Sequence, residues 1–464
     1  MHYMYEETQS LDNRCYEHFS LTPEILMEHA AFALVRTIKK RITCKDKILF
    51  VCGAGNNGAD GLAAARMMQG AYDVSLYLPF EPTSDLAIKQ KERAQKAGVP
   101  IVHEIIDANM YVDALFGSGL NRPLNAQSCA IIETLNAKKG YKIACDVPSG
   151  LMPSGTLISV VFRADETITM GAMKTALLQD YAKDVVGKIH VANLGISRTL
   201  YELPSSLFVL QKRDLKLPIR THKNANKGTF GHVAVVCGNK EGAALLASQG
   251  AFRFGAGLVS LVGEKPKKLP AYLMHANTLP TNTSVIVAGM GLETFNEDSM
   301  KEILLSHTLP LVIDASLSYH PFIKTLIDSK KPLVLTPHPK EFSSILKITC
   351  NEEISAETIQ ENRFHYAKTF SQTFPHLVLL LKGANTIIAY QGELYINPWG
   401  TQALAKGGSG DVLSGMIGAL IAQGYTLKDA ALQASLAHAL VARKFTCNNF
   451  ALTPIDICKG LKWL

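Results

Sequence analysis

The sequence predicts an α/β protein made of two unlike domains, and three observations carry that reading. Short β-branched runs alternate with helical patterns from end to end, the mark of parallel strands joined by crossover helices. A length of 464 residues exceeds what a single core usually accommodates. The alternation lapses between Ser197 and Lys227, where Pro204, Pro218 and a basic stretch (Lys212, Arg213, Lys216, Arg220, Lys223, Lys227) interrupt it. Such a lapse marks a linker, so domains of residues 1–213 and 214–464 are expected.

In the first half, strands are predicted near Lys47 to Cys52, Val74 to Leu78, Tyr111 to Leu115, Tyr141 to Asp146, Glu166 to Met170 and Lys188 to Ala192. Gly61 to Gly70 and Ser84 to Ala97 read as helices between them. The pattern restarts with a strand at His232 to Cys237 and a helix at Ala243 to Phe254. Strands follow near Leu258 to Val262, Val285 to Ala288, Pro310 to Asp314, Pro332 to Thr336, Leu377 to Leu381 and Thr386 to Ala389. The chain closes in helices over Asp411 to Ala422, Leu427 to Phe445 and Pro454 to Trp463. The glycine loops and closing elements of the halves differ, so they are not repeats.

Composition narrows the function. With 47% hydrophobic and 19% charged residues, the chain is neither disordered nor fibrous. The net charge of +7 is dispersed in short clusters with acids between them, which argues against a nucleic-acid footprint and suits small anionic ligands. The nine cysteines are scattered without a C-x-x-C pair, so no disulfide framework or zinc site is expected and a reducing compartment fits. Met1 to Ser20 carries acids and no apolar core, unlike a signal peptide, and no run is long enough to span a membrane. A cytoplasmic protein follows.

Two constellations carry chemistry. The first is the loop Gly53-Ala54-Gly55-Asn56-Asn57-Gly58-Ala59-Asp60-Gly61, between a strand and a helix. Its glycines let backbone approach a phosphate, while two Asn and an Asp add oxygens suited to a sugar, a hydrated ring or a hard cation. Asp113 and the turn Phe116-Gly117-Ser118-Gly119-Leu120-Asn121-Arg122-Pro123 end a second strand, and Asp146-Val147-Pro148-Ser149-Gly150 ends a third. Lys174 follows a fourth. An Asp before a Pro turn also serves as a plain turn initiator, but three polar loops at three strand ends can line one crevice. The second constellation, Gly407-Gly408-Ser409-Gly410-Asp411, opens an apolar helix. Its amides form an anion hole in which Asp411 can act as a base. Leu380-Leu381-Lys382-Gly383-Ala384-Asn385-Thr386 joins two strands, and His338 sits between Pro337 and Pro339; both also read as ordinary turns.

The first set of motifs resembles the NAD(P)HX epimerase domain over about the first 210 residues, and the second resembles the ADP- or ATP-dependent NAD(P)HX dehydratases of the ribokinase-like superfamily over roughly residues 214–464. The resemblance implies a Rossmann-like parallel-sheet domain followed by a ribokinase-like α/β domain. It implies that Asn57, Asp113 and Ser149 hold a potassium ion and that Asn56, Asn57, Gly58, Ala59 and Asp60, Gly117, Ser118, Gly119, Leu120, Asn121, Arg122 and Pro123, and Asp146 contact hydrated NADH or NADPH. Asp146 would be the acid/base, assisted by Lys174. In the second domain Lys382, Gly383, Ala384, Asn385, Thr386 and Gly410 would bind the adenine nucleotide with Mg²⁺. Ala243, Gly291, His338 and Asp411 would face the hydrated dinucleotide. Three departures stand out. Ala59 replaces a glycine, at a cost in backbone freedom; Met290 and Glu293 alter the turn around Gly291; and Ser409 replaces a threonine, keeping a hydroxyl. A homo-oligomer without nucleic-acid or membrane partners is expected. Alternatives left open are a vitamin or sugar kinase on the second fold and a dinucleotide sensor without turnover.

Overall fold

The computed structural model describes residues 1–155 and 159–464. It divides into two compact units, Tyr3–Ser205 and Ser206–Leu464, the latter together with Met1 and His2. This division precedes the boundary expected at 213/214. The chain has already become structural there: Leu207–Val209 pairs in parallel with Leu394–Ile396 as an added strand of the second unit's sheet. Within the stretch read as a linker lie this strand and a short helix, Arg198–Tyr201.

The first unit is built on a seven-stranded parallel sheet. From one edge its strands run Ile101–Val102, Asp73–Tyr77, Lys47–Cys52, Met110–Ala114, Tyr141–Cys145, Glu166–Met170 and Lys188–Ala192. The order reverses between Lys47–Cys52 and Met110–Ala114, the switch point where an open parallel sheet leaves a crevice. Helices cover the faces, and their starts are set by local chemistry. Thr22 caps Pro23–Ile38 by accepting from the Ile25 amide with Pro23 in the first turn, and Ser84 caps Asp85–Lys96 through the Ala87 amide; each such cap is worth about 1 kcal/mol. Helix Asn56–Met68 begins five residues before the expected Gly61. The polar loop is therefore the helix's own first turn, with its free N–H groups at the crevice. Ala59 is helical with its methyl in the core, so the glycine lost there carries no backbone cost. Gly61 is needed for contact: a Cβ would stand 2.6 Å from that of Ala114.

The second unit has ten strands in the order Met274–Ala276, Leu258–Gly263, His232–Cys237, Val285–Ala288, Leu311–Ile313, Leu333–Leu335, Leu377–Leu381, Thr386–Tyr390, Glu393–Asn397 and Leu207–Val209. Pairing is antiparallel only on the two sides of Thr386–Tyr390. This sheet too reverses, between His232–Cys237 and Val285–Ala288. The strands Met274–Ala276 and Glu393–Asn397 were not expected, one because it is short and the other because Glu393 and Asn397 confine its apolar run to three residues. Helices Glu241–Arg253 and Ser409–Ala422 pack backbone to backbone. A Cβ on Gly415 would lie 1.9 Å from the Ala247 carbonyl oxygen and one on Gly250 2.6 Å from that of Val412. Gly415→Ala should therefore destabilise the protein by about 1–3 kcal/mol through overpacking. Denaturant unfolding measures this; an unchanged midpoint would contradict the packing.

Candidate functional site

At the first switch point the loops after Lys47–Cys52 and Met110–Ala114 touch: a Cβ on Gly53 would sit 1.9 Å from the Leu115 carbonyl oxygen, and one on Gly58 the same distance from that of Gly53. Side chains at both positions are excluded, so backbone forms the floor. Above it opens a cavity of about 1020 Å³, and Asn56, Asn57, Asp60, Gly117–Arg122, Asp146 and Lys174 all line it. Of the expected substrate contacts, Gly58 and Ala59 are turned into the fold and Pro123 is outside the lining.

Asp146 is buried and held in the left-handed region at φ 68°, a conformation a non-glycine residue keeps only when its surroundings fix it. Four donors fix it. Lys174 Nζ donates to Oδ1 at 2.7 Å, the Met170 amide to Oδ1 at 3.1 Å, the Ser118 amide to Oδ2 at 3.0 Å and the Thr169 hydroxyl to Oδ1 at 3.4 Å. Burial alone would raise this carboxyl, but the Lys174 ammonium and the amides outweigh it and hold Asp146 below the usual carboxylate range. Lys174 is itself only 2% exposed and also donates to Thr169 Oγ1 and the Met170 carbonyl.

Asp60 has the opposite fate. Its enclosed carboxyl is touched by the Cys145 thiol at 3.9 Å. Burial, with the charges of Asp146 and Asp12 nearby, pushes it well above the ordinary value. One cavity thus holds two carboxyls whose proton affinities are pushed in opposite directions.

Below the loops, Asp113 and Ser149 are fully buried. Asp113 accepts from the Ser149 hydroxyl at 2.6 Å and its amide at 2.8 Å; burial nonetheless raises its pKa to about 6. The side-chain oxygen and nitrogen of Asn57 are buried without a hydrogen-bond partner among the described residues, beside Gly117.

In the second unit the structure gathers Lys382, Gly410 and Asp411 with two residues the sequence did not mark, Asp314 and Glu341. Lys382 Nζ donates to Asp314 Oδ1 at 2.8 Å and lies 3.6 Å from Glu341. Asp314 also accepts from the Ser414 hydroxyl at 2.8 Å and the Ala315 amide at 2.9 Å. Burial raises Asp314, but Lys382 and these donors bring it below its ordinary value. Asp411, in the first turn of Ser409–Ala422, is raised to about 6 by burial and the charge of Asp314. A Cβ on Gly410 would stand 3.4 Å from Lys382 Nζ, which places the lysine at the glycine-run helix start.

Arg363, buried and unmarked in the sequence, braces the loop behind Lys382 by donating to the carbonyls of Leu381, Lys382 and Asn385. Gly383 and Ala384 are exposed, Asn385 is buried, and Thr386 begins the next strand. His338 caps helix Pro339–Cys350: its Nδ1 accepts from the Glu341 amide, and its Nε2 is 3.2 Å from Glu341 Oε1. Its ring is thereby aimed at the same cluster. The Ser409 hydroxyl bonds to His438 Nε2 at 3.2 Å, so it faces the core rather than the anion hole; burial lowers His438 to about 4, leaving a neutral ring. Ala243 and Gly291 stand at the switch point. Gly291 is left-handed at φ 70°, and a Cβ there would meet the Lys240 carbonyl at 2.4 Å, so the altered turn keeps its glycine geometry. Leu246, one turn beyond Ala243, packs against Gly408.

Asp12, Glu6, Glu7 and Gln9 also line the first cavity, with Asp12 accepting from Tyr201; no motif marks them in the sequence.

Residues 23–176 match the family described as YjeF-related protein N-terminus, and residues 233–462 match the family described as NAD(P)H-hydrate dehydratase. The chain is 41% identical to the bifunctional NAD(P)H-hydrate repair enzyme Nnr of Helicobacter pylori, covering 99% of each chain. It is 31% identical to the protein of the same name from Coxiella burnetii, over 90% of this chain and 89% of that one. Among solved structures it is similar to an ADP/ATP-dependent NAD(P)H-hydrate dehydratase from Bacillus subtilis co-crystallised with ATP/Mg²⁺, at 28% identity and TM-score 0.46 over 54% of this chain and 94% of that one.

The Asp146–Lys174 geometry yields a test independent of turnover. With its lysine, Asp146 stabilises the fold above the usual carboxylate range and loses that contribution as pH falls. Lys174→Met leaves a buried carboxylate unpaired and should cost about 3–5 kcal/mol at pH 7. The deficit should shrink on acidification, as the variant's raised Asp146 takes up a proton. Unfolding at pH 7 and pH 5 checks this; a deficit that does not change with pH would contradict it.

Proposed function

The chain belongs to the bifunctional NAD(P)H-hydrate repair enzymes. On that premise we propose that the unit Tyr3–Ser205 interconverts the R and S epimers of hydrated NADH and NADPH at Asp60, Asp146 and Lys174, and that the unit Ser206–Leu464 dehydrates the S epimer at Asp411. The protein is an isomerase and a lyase in one polypeptide. The vitamin-kinase and sensor alternatives lose their ground, because repair enzymes match across both units.

The observation that carries the epimerase assignment is the pair of oppositely perturbed carboxyls in one cavity. Two titratable groups whose surroundings push their proton affinities apart take the acid and base roles. The hydrated ring bears a hydroxyl at C6, next to the ring nitrogen. Asp60, protonated, gives its proton to that hydroxyl, which leaves as water while the nitrogen lone pair forms the C6–N double bond. Water returns on the other face, and Asp146 takes its extra proton. Exchange within the cavity restores Asp60. Lys174 keeps Asp146 ionised for this role.

The oxygens present fit a potassium ion. Asn57 offers a buried oxygen with no other partner, Asp113 a carboxylate that burial disfavours until a cation offsets it, and Ser149 a hydroxyl oxygen. A hard cation suits that oxygen set. When bound it supplies positive charge under the two glycine loops. For Mg²⁺ the support differs: among the described residues no group of three or more His, Cys, Asp or Glu could hold a metal ion. That favours an ion carried by the nucleotide's phosphates.

In the second unit Asp411 removes the C6 hydroxyl proton as that oxygen attacks the terminal phosphoryl group of ADP or ATP. The glycine-run amides and Lys382 stabilise the transferring group. Phosphate, a far better leaving group than hydroxide, then departs with the C6–O bond electrons, and loss of a proton from C5 to water re-forms the ring double bond between C5 and C6. The free cysteines favour a reducing cytoplasm, where we place the protein as a homo-oligomer.

Incubating the full chain with mixed R and S hydrates and ADP or ATP should recover all the NADH absorbance. Asp146→Ala should slow recovery from the R form at least 100-fold without affecting the S form. Asp60→Asn should lower kcat of epimerisation by a similar factor with KM within about threefold, the signature of lost general acid catalysis. Unchanged rates would overturn those assignments. Asp411→Asn should abolish recovery from either form, and the wild-type dehydration rate should rise with pH through about 6 as Asp411 loses its proton. A flat profile across that range would remove Asp411 as the base.

A further inference from the structure

The first unit has a second cavity, about 620 Å³ in volume, between helix Pro23–Ile38 and the last strand of the sheet. That helix gives Met27 and Ala30 to the epimerase cavity and Phe32, Ala33, Arg36 and Thr37 to this one. The opposite wall is Lys188–Ala192, the edge strand of the sheet, with no strand beyond it among the described residues.

The cavity's charge is one-sided. Arg36, Lys40, Arg41 and Lys188 line it with a single acid, Glu166. Glu166 is only 1% exposed and is engaged by Arg41 and by His190 Nε2 at 3.4 Å. It therefore fixes the floor and orients two of the lining groups without masking the rim. Among the described residues, Arg36, Lys40 and Lys188 have no carboxylate partner. Several other cations of this unit are paired: Lys89 and Arg93 with Glu24, Lys91 with Glu81, Lys96 with Glu92 and Lys138 with Asp107. Gathering three uncompensated cations around one concavity costs mutual repulsion that an anion relieves. Arginine and lysine together at such a site match phosphate oxygens, and the exposed ring of Phe32 lines the same cavity.

We propose that this cleft is a second ligand site of the first unit, taking a small molecule that carries a phosphate or pyrophosphate group. Its occupant bridges Arg36 and Lys40 at the helix end to Lys188 on the edge strand.

The test is hydrogen–deuterium exchange on the full chain, read by segment, with inorganic pyrophosphate, with ADP, and with sodium chloride at matched ionic strength. The comparison protein is the double variant Arg36→Ser, Lys40→Ser, whose exposed side chains have no role in the epimerase cavity. In the wild type, segments covering residues 29–41 and 188–193 should exchange several-fold more slowly with pyrophosphate or ADP. The slowing should be absent from the double variant, while its epimerisation rate stays at the wild-type value. Slowing with pyrophosphate marks a site for the phosphate group itself, and slowing with ADP alone a site for a nucleotide; either supports the proposal. No slowing, equal slowing by chloride, or equal slowing in the double variant would overturn it.

Discussion

In each unit one lysine, buried in the first and half-buried in the second, faces more than one aspartate, and it can neutralise only one of them. Lys174 bonds to Asp146 at 2.7 Å and Lys382 to Asp314 at 2.8 Å. The partnered carboxyl falls below its usual range in both cases, while the second, Asp60 or Asp411, is raised by burial and by its charged neighbour. A buried pair of this kind contributes little net stability, since desolvation offsets attraction. What it does is set which carboxyl stays ionised and which has the higher proton affinity. The reading of both active sites depends on that division.

Backbone geometry makes the division possible. Each lysine–aspartate pair stands at the carboxyl ends of parallel strands, near the place where strand order reverses. Glycines there let chain approach chain: Gly53 against Leu115 in one unit, Gly291 against Lys240 and Gly289 against Asp314 in the other. The close contact of Glu241–Arg253 with Ser409–Ala422 sets the start of the Asp411 helix beside Lys382. Asp146 keeps its left-handed backbone because Met170, Ser118 and Lys174 all bind its carboxylate; the strain and the electrostatics are supported by the same contacts.

Strand positions were legible because apolar runs bounded by glycine and proline report burial directly. Lys47–Cys52, Glu166–Met170, Lys188–Ala192, His232–Cys237, Val285–Ala288 and Leu377–Leu381 all occupy their expected ranges. The start of helix Asn56–Met68 was not, since Asn, Gly and Asp have low helix propensity and are there because the first turn faces a ligand cavity. Within the sites, residues in polar glycine loops were visible. Asp314, Glu341, Arg363, His438 and Asp12 were not, because each is a single residue in an ordinary context whose part is set by neighbours distant in sequence. Asp314 meets Ser414 across 100 residues and Arg363 reaches Asn385 across 22. The role of Ser409 was half legible: its hydroxyl was evident, its direction toward His438 was not.

The central claim is that burial and one lysine decide the charge of each aspartate, and titration of the carboxyls tests it directly. In a ¹³C NMR titration of the protein with labelled aspartate carboxyls, resonances assigned through Asp→Asn variants, Asp146 and Asp314 should stay ionised to below the usual carboxylate range. Asp411 should titrate at about 6, and Asp60 well above the ordinary carboxylate value. An Asp60 that titrates at or below the ordinary carboxylate value, or an Asp146 that titrates at or above it, would contradict the account.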